Sequence, residues 1–248
     1  MSDAIDLAVS TVIFALRPDD SGRPVLSIPL VRRTREPFAG QWAIPGGAAD
    51  PEEGLEETAG RKLRETTGVR PGYLEQLYCF GEPHRSPSGR VVSVVYWALV
   101  RADETRPAEE RENVRWFAAD ALPELAFDHN RIVEYALWRL RTKMEYSRIA
   151  HALLGETFTL AELRQVYEAV LDRELDPANF RRQMEASGAI VPTGQRLTGG
   201  RHRPPALYRY DAGDALVDNG PLSRVASPSD GRPADRAPEL TPAIGAGS

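Results

Sequence analysis

Two features suited to binding an anionic ligand stand side by side in residues 41–69, QWAIPGGAADPEEGLEETAGRKLRETTGV. The first is a Pro-Gly-Gly sequence, in which Gly46 and Gly47 predict a tight turn with backbone N–H groups free to approach a ligand. The second is an acidic helix in which charged side chains recur at every fourth position and therefore share one face. These side chains are Glu57, Arg61 and Glu65.

The sequence also predicts where this helix begins and ends. Asp50 is expected to be its N-cap and Pro51 its first residue. Glu53 is then in position to complete a capping box from the third residue of the helix. Gly68 is expected to end the helix, since glycine readily adopts the left-handed conformation of a C-terminal cap.

This stretch resembles the Nudix signature, G-x5-E-x7-R-E-U-x-E-E-x-G-U, where U is an aliphatic residue. The preceding F-x-G-x-W-x-x-P-G-G at 38–47 is similar to the approach to that box in ADP-ribose-type Nudix proteins. The resemblance implies a Nudix fold, a mixed sheet between helices, that binds a nucleoside diphosphate. The matching residues are Gly47, Glu53, Arg61, Leu63, Glu65, Gly68 and Val69.

Two positions depart from the signature in a way that affects the chemistry. The acidic residues expected at 62 and 66 are Lys62 and Thr66, so Glu65 is the one carboxylate left of three. Nudix hydrolysis needs several carboxylates on one helical face to hold Mg²⁺ against the diphosphate. We therefore expect no catalytic or metal-binding residues, no required cofactor, weak or absent Mg²⁺ binding, and little or no hydrolysis. An active ADP-ribose pyrophosphatase remains an alternative. Its unorthodox metal site would consist of Glu53, Glu56, Glu57 and Glu65.

Several residues near this helix are predicted to bind the ligand. The Lys62 ammonium is expected to replace the metal as the counter-charge to the diphosphate, and Arg32 and Arg33 to add to it from the end of a strand. The alternatives are that Lys62 points to solvent or forms only local pairs, that the two arginines lie on the surface, and that Trp42 belongs to the core. The full predicted set is Arg32, Arg33, Trp42, Gly46, Gly47, Lys62 and Glu65.

A second group of residues has the character of a nucleic-acid surface. Residues 177–210 carry six arginines against a single glutamate, although the whole chain has a formal net charge of −5. On a helix at 176–187, Phe180 and Met184 are spaced to face the core, which leaves polar side chains for base edges and phosphates. The Arg-rich loop 194–205 is expected to be the wing of a winged helix. The alternative is a protein–protein docking domain with a basic face. The predicted DNA-binding residues are Asn179, Arg181, Arg182, Gln183, Arg196, Arg201 and Arg203.

The elements that must position these groups divide the chain into three parts. Residues 1–146 contain the strand patterns and end in a connecting helix at about 128–144, and they are expected to form the effector-sensing Nudix domain. Residues 147–211 are predicted to be a winged helix-turn-helix domain, with a T-x-x-E capping box before one helix and an Asp-Pro start for the next. Residues 212–248 lack aromatic residues and are mostly Gly, Ala, Pro and Ser, which predicts a disordered tail.

A degenerate Nudix domain followed by a basic winged helix is similar to the Nudix-related transcriptional regulators of NAD metabolism, the NrtR-type family. Four motifs carry the resemblance: RKLRET at 61–66, LAFDH at 125–129, FTLAEL at 158–163 and NFRRQME at 179–185. It implies a homodimeric repressor of NAD biosynthesis or salvage genes that binds double-stranded DNA at an inverted repeat. It also implies ADP-ribose or a related nucleotide as the effector, although a regulator of this architecture that senses a sugar metabolite remains an alternative. His129 in LAFDH is expected to be a helix-start or hinge residue rather than a catalytic one.

The composition excludes several classes of protein. The chain has 248 residues, of which 42% are apolar and 27% charged, as in ordinary globular proteins of one or two domains. The single Cys79 excludes an intramolecular disulfide and a cysteine-based zinc cluster. The longest apolar run, Val91–Val100, is about half the length of a membrane-spanning helix, and the acidic N-terminus does not resemble a signal peptide. We therefore expect a cytoplasmic protein with no membrane partner.

Overall fold

The computed structural model describes residues 4–71, 73–105, 112–146, 149–197 and 204–211. The strands are β1 (Asp6–Pro18), β2 (Pro24–Arg32), β3 (Trp42–Ala43), β4 (Gly46–Ala48), β5 (Tyr73–Phe80), β6 (Val91–Val100), β7 (Val114–Ala118), β8 (Ile190–Arg196) and β9 (Ala206–Tyr210). The helices are α1 (Leu55–Thr67), α2 (His129–Tyr146), α3 (Leu160–Leu171) and α4 (Pro177–Ser187), with 3-10 turns at Ala102–Thr105 and Ile149–Leu153. Within these described ranges, no helix combines the length and the apolar character needed to span a membrane.

Seven strands form a mixed sheet because the two central strands run parallel while their neighbours are antiparallel. β1 pairs with β6 in parallel over ten residue pairs. The strand order is β3-β2-β1-β6-β5, with β4 paired to β1 and β7 paired to β2. Residues 9–16 of β1 are buried without interruption, as expected for a central strand that is covered on both faces.

Helices cover the two faces of this sheet. Successive side chains of β1 point to opposite faces, so Val12 and Phe14 pack in one apolar cluster with Ile132 of α2. Ile13, between them in the chain, packs in another cluster with Leu63 of α1. The predicted mixed sheet between helices is therefore confirmed.

The C-terminal part has the predicted winged-helix elements. Thr159 caps α3 and forms a reciprocal capping box with Glu162. Asp176 caps α4, Pro177 is its first residue, and Gly188 ends it in the left-handed conformation. The β8–β9 ribbon follows as an antiparallel pair, so this part of the fold prediction is also confirmed.

The sheet and the winged helix share one apolar core. Phe180 and Met184 of α4 are buried as predicted, and they belong to the same cluster as Trp97 of β6 and Leu140 of α2. The predicted connecting helix is α2. The proposed domain limits stay a prediction, because residues 147–148 and the whole tail at 212–248 lie outside the described residues.

The predicted start of α1 is wrong. The helix begins at Leu55, and its N-cap is Gly54, which makes no side-chain capping hydrogen bond. The Asp50 carboxylate instead accepts a backbone N–H within the preceding turn (3.0 Å). Glu53 does not close a capping box, because both of its carboxylate oxygens are bound by Arg61.

Candidate functional site

Arg61 of α1 binds three carboxylates, two in the turn before the helix and one in its last turn. Its Nε donates to Glu53 Oε1 (2.7 Å), and its Nη2 donates to Glu53 Oε2 (2.7 Å) and to Asp50 Oδ2 (3.1 Å). Its Nη1 donates to Glu65 Oε1 at 3.0 Å. The hydrogen bonds from Arg61 hold the pKa of Glu53 below its ordinary value, and those to Glu53 and Glu65 raise the pKa of Arg61. The ion pairs connect the turn before α1 to the helix itself.

These carboxylates do not fit a magnesium site. Mg²⁺ demands near-octahedral oxygen coordination, but both oxygens of Glu53 accept hydrogen bonds from Arg61. Glu65 pairs with two cations, Arg61 and Lys62, and Thr66 Oγ1 donates to the Lys62 carbonyl. In the part of the chain that the structure describes, no three His, Cys, Asp or Glu residues are grouped so that they could hold a metal ion.

The alternative metal site is not assembled among the described residues. Glu53 and Glu65 contact Arg61, whereas Glu56 lines a cleft on the β5 side of α1. Glu57 is exposed. Among the described residues, these four carboxylates form no group that could hold a metal ion.

Lys62 and Glu65 of α1 lie beside β4, the strand that contains Gly46 and Gly47. The predicted free turn at the two glycines is wrong, because they lie in β4 and pair with β1. A Cβ atom at Gly46 would lie 2.5 Å from the Val9 carbonyl oxygen, so only glycine permits this pairing. A Cβ at Gly47 would lie 3.4 Å from Lys62 Cε, which shows that the lysine crosses over this glycine. Lys62 Nζ lies 3.8 Å from Glu65 Oε2 with the lysine side chain 31% exposed, so the ammonium is accessible beside β4.

Arg32, Arg33 and Trp42 form a separate group around the loop between β2 and β3. Arg32 Nε donates to the Gly40 carbonyl (3.2 Å), and Arg33 Nε donates to the Pro37 carbonyl (2.9 Å). Trp42 is half-buried and packs edge-on against an aromatic ring of β7, with 5.2 Å between ring centroids. Arg32 and Arg33 thereby order the loop that precedes β3, whereas Trp42 anchors β3 against β7.

Sequence reasoning missed an aromatic contact between this loop and the segment before α2. Phe38 and Phe127 both have positive φ angles, 67° and 59°, and their rings meet edge to face at 4.9 Å between centroids. The Arg33 guanidinium lies 4.7 Å from the centroid of the Phe127 ring, and its burial lowers the pKa of Arg33. The LAFDH sequence marked this segment, but nothing in it indicates a partner 89 residues away.

Two further contacts hold the start of α2. His129 is the first residue of the helix, as predicted, and its Nδ1 accepts the Ile44 N–H at 3.2 Å. Burial lowers the pKa of His129 to about 4. Arg85, which the sequence analysis did not identify, donates to both carboxylate oxygens of Asp128 (2.9 and 2.6 Å) with only 5% of its side chain exposed. The start of α2 is thereby connected to the chain before β4 and to the loop before β6.

The polar face predicted for α4 is present. Asn179 and Arg182 are exposed, and Arg182 Nη2 donates to Asn179 Oδ1 at 3.0 Å. Arg181 is exposed beside them and pairs with Glu185 (3.0 Å), while Gln183 is half-buried. Asn179 and Arg182 therefore present adjacent polar groups to solvent, as a surface for base edges requires.

Part of the predicted wing lies within the described residues. Arg196 ends β8, is exposed, and donates through Nη1 to the Pro204 carbonyl at 2.8 Å. Arg201 and Arg203 lie outside the described residues. Their predicted role in DNA binding stays a prediction.

These elements define a class of protein in which the last helix of a Nudix fold connects it to a winged helix. The NUDIX domain family matches residues 6–136, and the NrtR DNA-binding winged helix domain family matches residues 150–210. The chain belongs to the NrtR family, which confirms the family that the sequence motifs predicted.

Relatives cover both parts of the chain. The ADPR responsive transcriptional repressor NtrR of Acinetobacter baylyi is 37% identical over 205 residues, which are 81% of this chain and 81% of that protein. The crystal structure of Shewanella oneidensis NrtR complexed with a 27mer DNA has a TM-score of 0.72 and 36% identity, and the match covers 83% of this chain and 93% of that one. The ADP-ribose pyrophosphatase of Methanocaldococcus jannaschii is 34% identical over 111 residues, which are 44% of this chain and 66% of that enzyme.

Proposed function

We propose that this protein is a transcriptional repressor of NAD biosynthesis or salvage genes that binds DNA through its winged helix and ADP-ribose or a related nucleotide through its Nudix domain. The observation that carries the proposal is the 37% identity to an ADPR responsive repressor over a stretch that includes both parts of the chain. The basic face of α4 supports the DNA-binding half, since neutralising phosphates requires cationic side chains. We also propose a cytoplasmic location, because DNA and a nucleotide effector are both available there.

On the DNA side, α4 serves as the recognition helix. Its exposed Asn179 and Arg182 suit bidentate contacts to base edges, and the arginines of the wing suit phosphates or the minor groove. The protein acts as a homodimer on an inverted repeat, because one recognition helix reads only a few base pairs. A protein that is monomeric both in solution and on DNA would contradict this part. The proposed DNA-binding residues remain Asn179, Arg181, Arg182, Gln183, Arg196, Arg201 and Arg203.

On the effector side, Lys62 takes the place of the metal. Its ammonium lies beside Gly47 of β4, and Glu65 at 3.8 Å orients it. No metal is required for binding, because the ammonium supplies the counter-charge. The proposed ligand-binding set also includes Arg32, Arg33 and Trp42, at the loop between β2 and β3.

Hydrolysis of the effector is slow or absent in this proposal. The identity to a pyrophosphatase favours an active hydrolase as the second candidate, but Arg61 and Lys62 occupy the carboxylates that such a site needs. Purified protein with Mg²⁺ or Mn²⁺ is expected to release AMP and ribose 5-phosphate from ADP-ribose at a near-background rate. The Lys62→Glu, Thr66→Glu variant restores the signature and is the matched comparison. Rapid release by the wild type would establish the hydrolase instead.

The proposed function is tested by DNA binding with and without effector. Labelled fragments from the DNA flanking this gene are titrated with the full chain, and fluorescence anisotropy is measured in buffer, in ADP-ribose and in ribose 5-phosphate. We expect one or more fragments to bind specifically and ADP-ribose to change the Kd, while ribose 5-phosphate does not. Absence of specific DNA binding would overturn the proposal. A thermal shift with a sugar metabolite but none with ADP-ribose would favour the sugar-responsive alternative.

A further inference from the structure

An open cleft of about 680 Å³ lies between α1 and the edge strand β5. It is separate from the candidate effector site. Lys62 lies over β4, which pairs with β1, whereas β5 is two strands away at the edge of the sheet. A volume of this size is within the range of small-molecule sites. The cleft is lined by Glu56, Gly60, Arg64, Arg70, Pro71 and Leu74.

Among the described residues, neither of the two arginines in this cleft forms an ion pair. The side chains of Arg64 and Arg70 are exposed and form no hydrogen bond or ion pair within the described ranges. Arg61, one turn away on α1, is by contrast fully occupied by three carboxylates. The two guanidinium groups therefore keep their donor capacity for a ligand.

Gly60 leaves room in the cleft for one of these two guanidinium groups. A glycine in the interior of a helix lowers helix stability relative to alanine, and the Nudix signature leaves this position free. A Cβ atom at Gly60 would lie 3.4 Å from Arg64 Nη1 and 3.8 Å from Leu74 Cδ2. The missing side chain thus lets the Arg64 guanidinium lie against the helix at the floor of the cleft.

We propose that this cleft binds a phosphorylated small molecule of about mononucleotide size. Guanidinium groups bind phosphate oxygens in a bidentate geometry, and Arg64 with Arg70 offers two of them. The Glu56 carboxylate accepts a hydrogen bond from a hydroxyl or amine elsewhere on the ligand. Leu74 and Pro71 supply an apolar wall for a ring. The proposal does not depend on the ADP-ribose site.

The test is calorimetric titration of the full chain with AMP. We expect the Arg64→Gln, Arg70→Gln variant to bind AMP at least tenfold more weakly than the wild type. Arg173→Gln, which changes an exposed arginine outside the cleft, is expected to stay within twofold. The double variant is also expected to keep the wild-type effect of ADP-ribose on DNA binding, so failure of this site and failure of the proposed function are distinguishable.

Three results would overturn the proposal. One is equal AMP affinity in the wild type and the double variant. Another is absence of AMP binding by the wild type at millimolar concentration. The third is a tenfold loss of affinity for non-operator DNA in the double variant, since the cleft would then contact DNA phosphates. Thermal unfolding checks that the double variant is folded, and if it is not, Arg70→Gln alone is compared with Arg173→Gln.

Discussion

Arg141 Nε, in α2, donates a 2.9 Å hydrogen bond to the carbonyl of Val170, in the last turn of α3. Such carbonyls lack a partner within their own helix, so the arginine satisfies one that would otherwise need another donor. Nη2 of the same guanidinium donates to Asp120 Oδ1, also at 2.9 Å. Because α2 starts at His129, which contacts Ile44 near β4, this single helix touches both the effector side and the winged helix.

The Arg141→Gln variant is expected to weaken communication between the two parts. Glutamine is too short to reach both Val170 and Asp120, so α2 loses a fixed contact with α3. We expect the ratio of DNA Kd values with and without ADP-ribose to move toward one, while the affinity for ADP-ribose itself is unchanged. Anisotropy and calorimetry measure the two quantities, and Arg139→Gln on the same helix is the control. An unchanged ratio in Arg141→Gln would show that α2 is not the connection.

Lys62 is expected to make ADP-ribose binding independent of metal. Calorimetry in EDTA and in excess Mg²⁺ should give equal affinities for the wild type. Lys62→Ala should bind at least about tenfold more weakly, because one charge-assisted contact is worth about 1.5–3 kcal/mol. Glu57→Gln is the control, since this exposed acid matters only if a metal site forms. A strict Mg²⁺ requirement, or full affinity in Lys62→Ala, would eliminate this role.

Arg182 is expected to carry sequence specificity. Replacing it with alanine should cost about 1–3 kcal/mol of operator affinity if it makes a bidentate base contact. Arg196→Ala should weaken operator and non-operator DNA alike, because phosphate contacts do not depend on sequence, and the same is expected for Arg201 and Arg203. Anisotropy with both DNAs separates the two patterns. A fragment that ends at residue 146 and still binds operator would refute the whole assignment.

His129 is expected to make the fold less stable in acid. Its pKa is about 4 in the folded protein and about 6.5 in an unfolded chain, so the unfolded state binds more protons between these values. Its contribution to stability is therefore fully present above pH 6.5, and up to about 3 kcal/mol is lost as the pH falls to 4. Urea unfolding at pH 7, 6 and 5 should show a smaller loss for His129→Gln than for the wild type. The exposed His84→Gln should behave like the wild type, and equal slopes in all three proteins would contradict the prediction.

Helix caps, which depend on a few neighbouring residues, could be predicted from the sequence. The Thr159–Glu162 capping box, the Asp176–Pro177 start of α4 and the left-handed Gly68 at the end of α1 all occur where predicted. Each depends on groups within one or two turns of the chain, so the local sequence contains all the interacting partners. The apolar face of α4 was predictable for the same reason, since Phe180 and Met184 are one turn apart.

The choice of distant partners was decided only by the tertiary structure. Glu53 could cap a helix or bind an arginine, and it binds Arg61 because the turn before α1 folds back onto the helix. The sequence around Gly46 and Gly47 predicts a tight turn, but in the folded protein both residues pair with β1 and form a strand. Ionic and backbone hydrogen bonds go to whichever partner lies within about 3 Å, and the packing of the sheet and helices sets that distance for residues far apart in the chain.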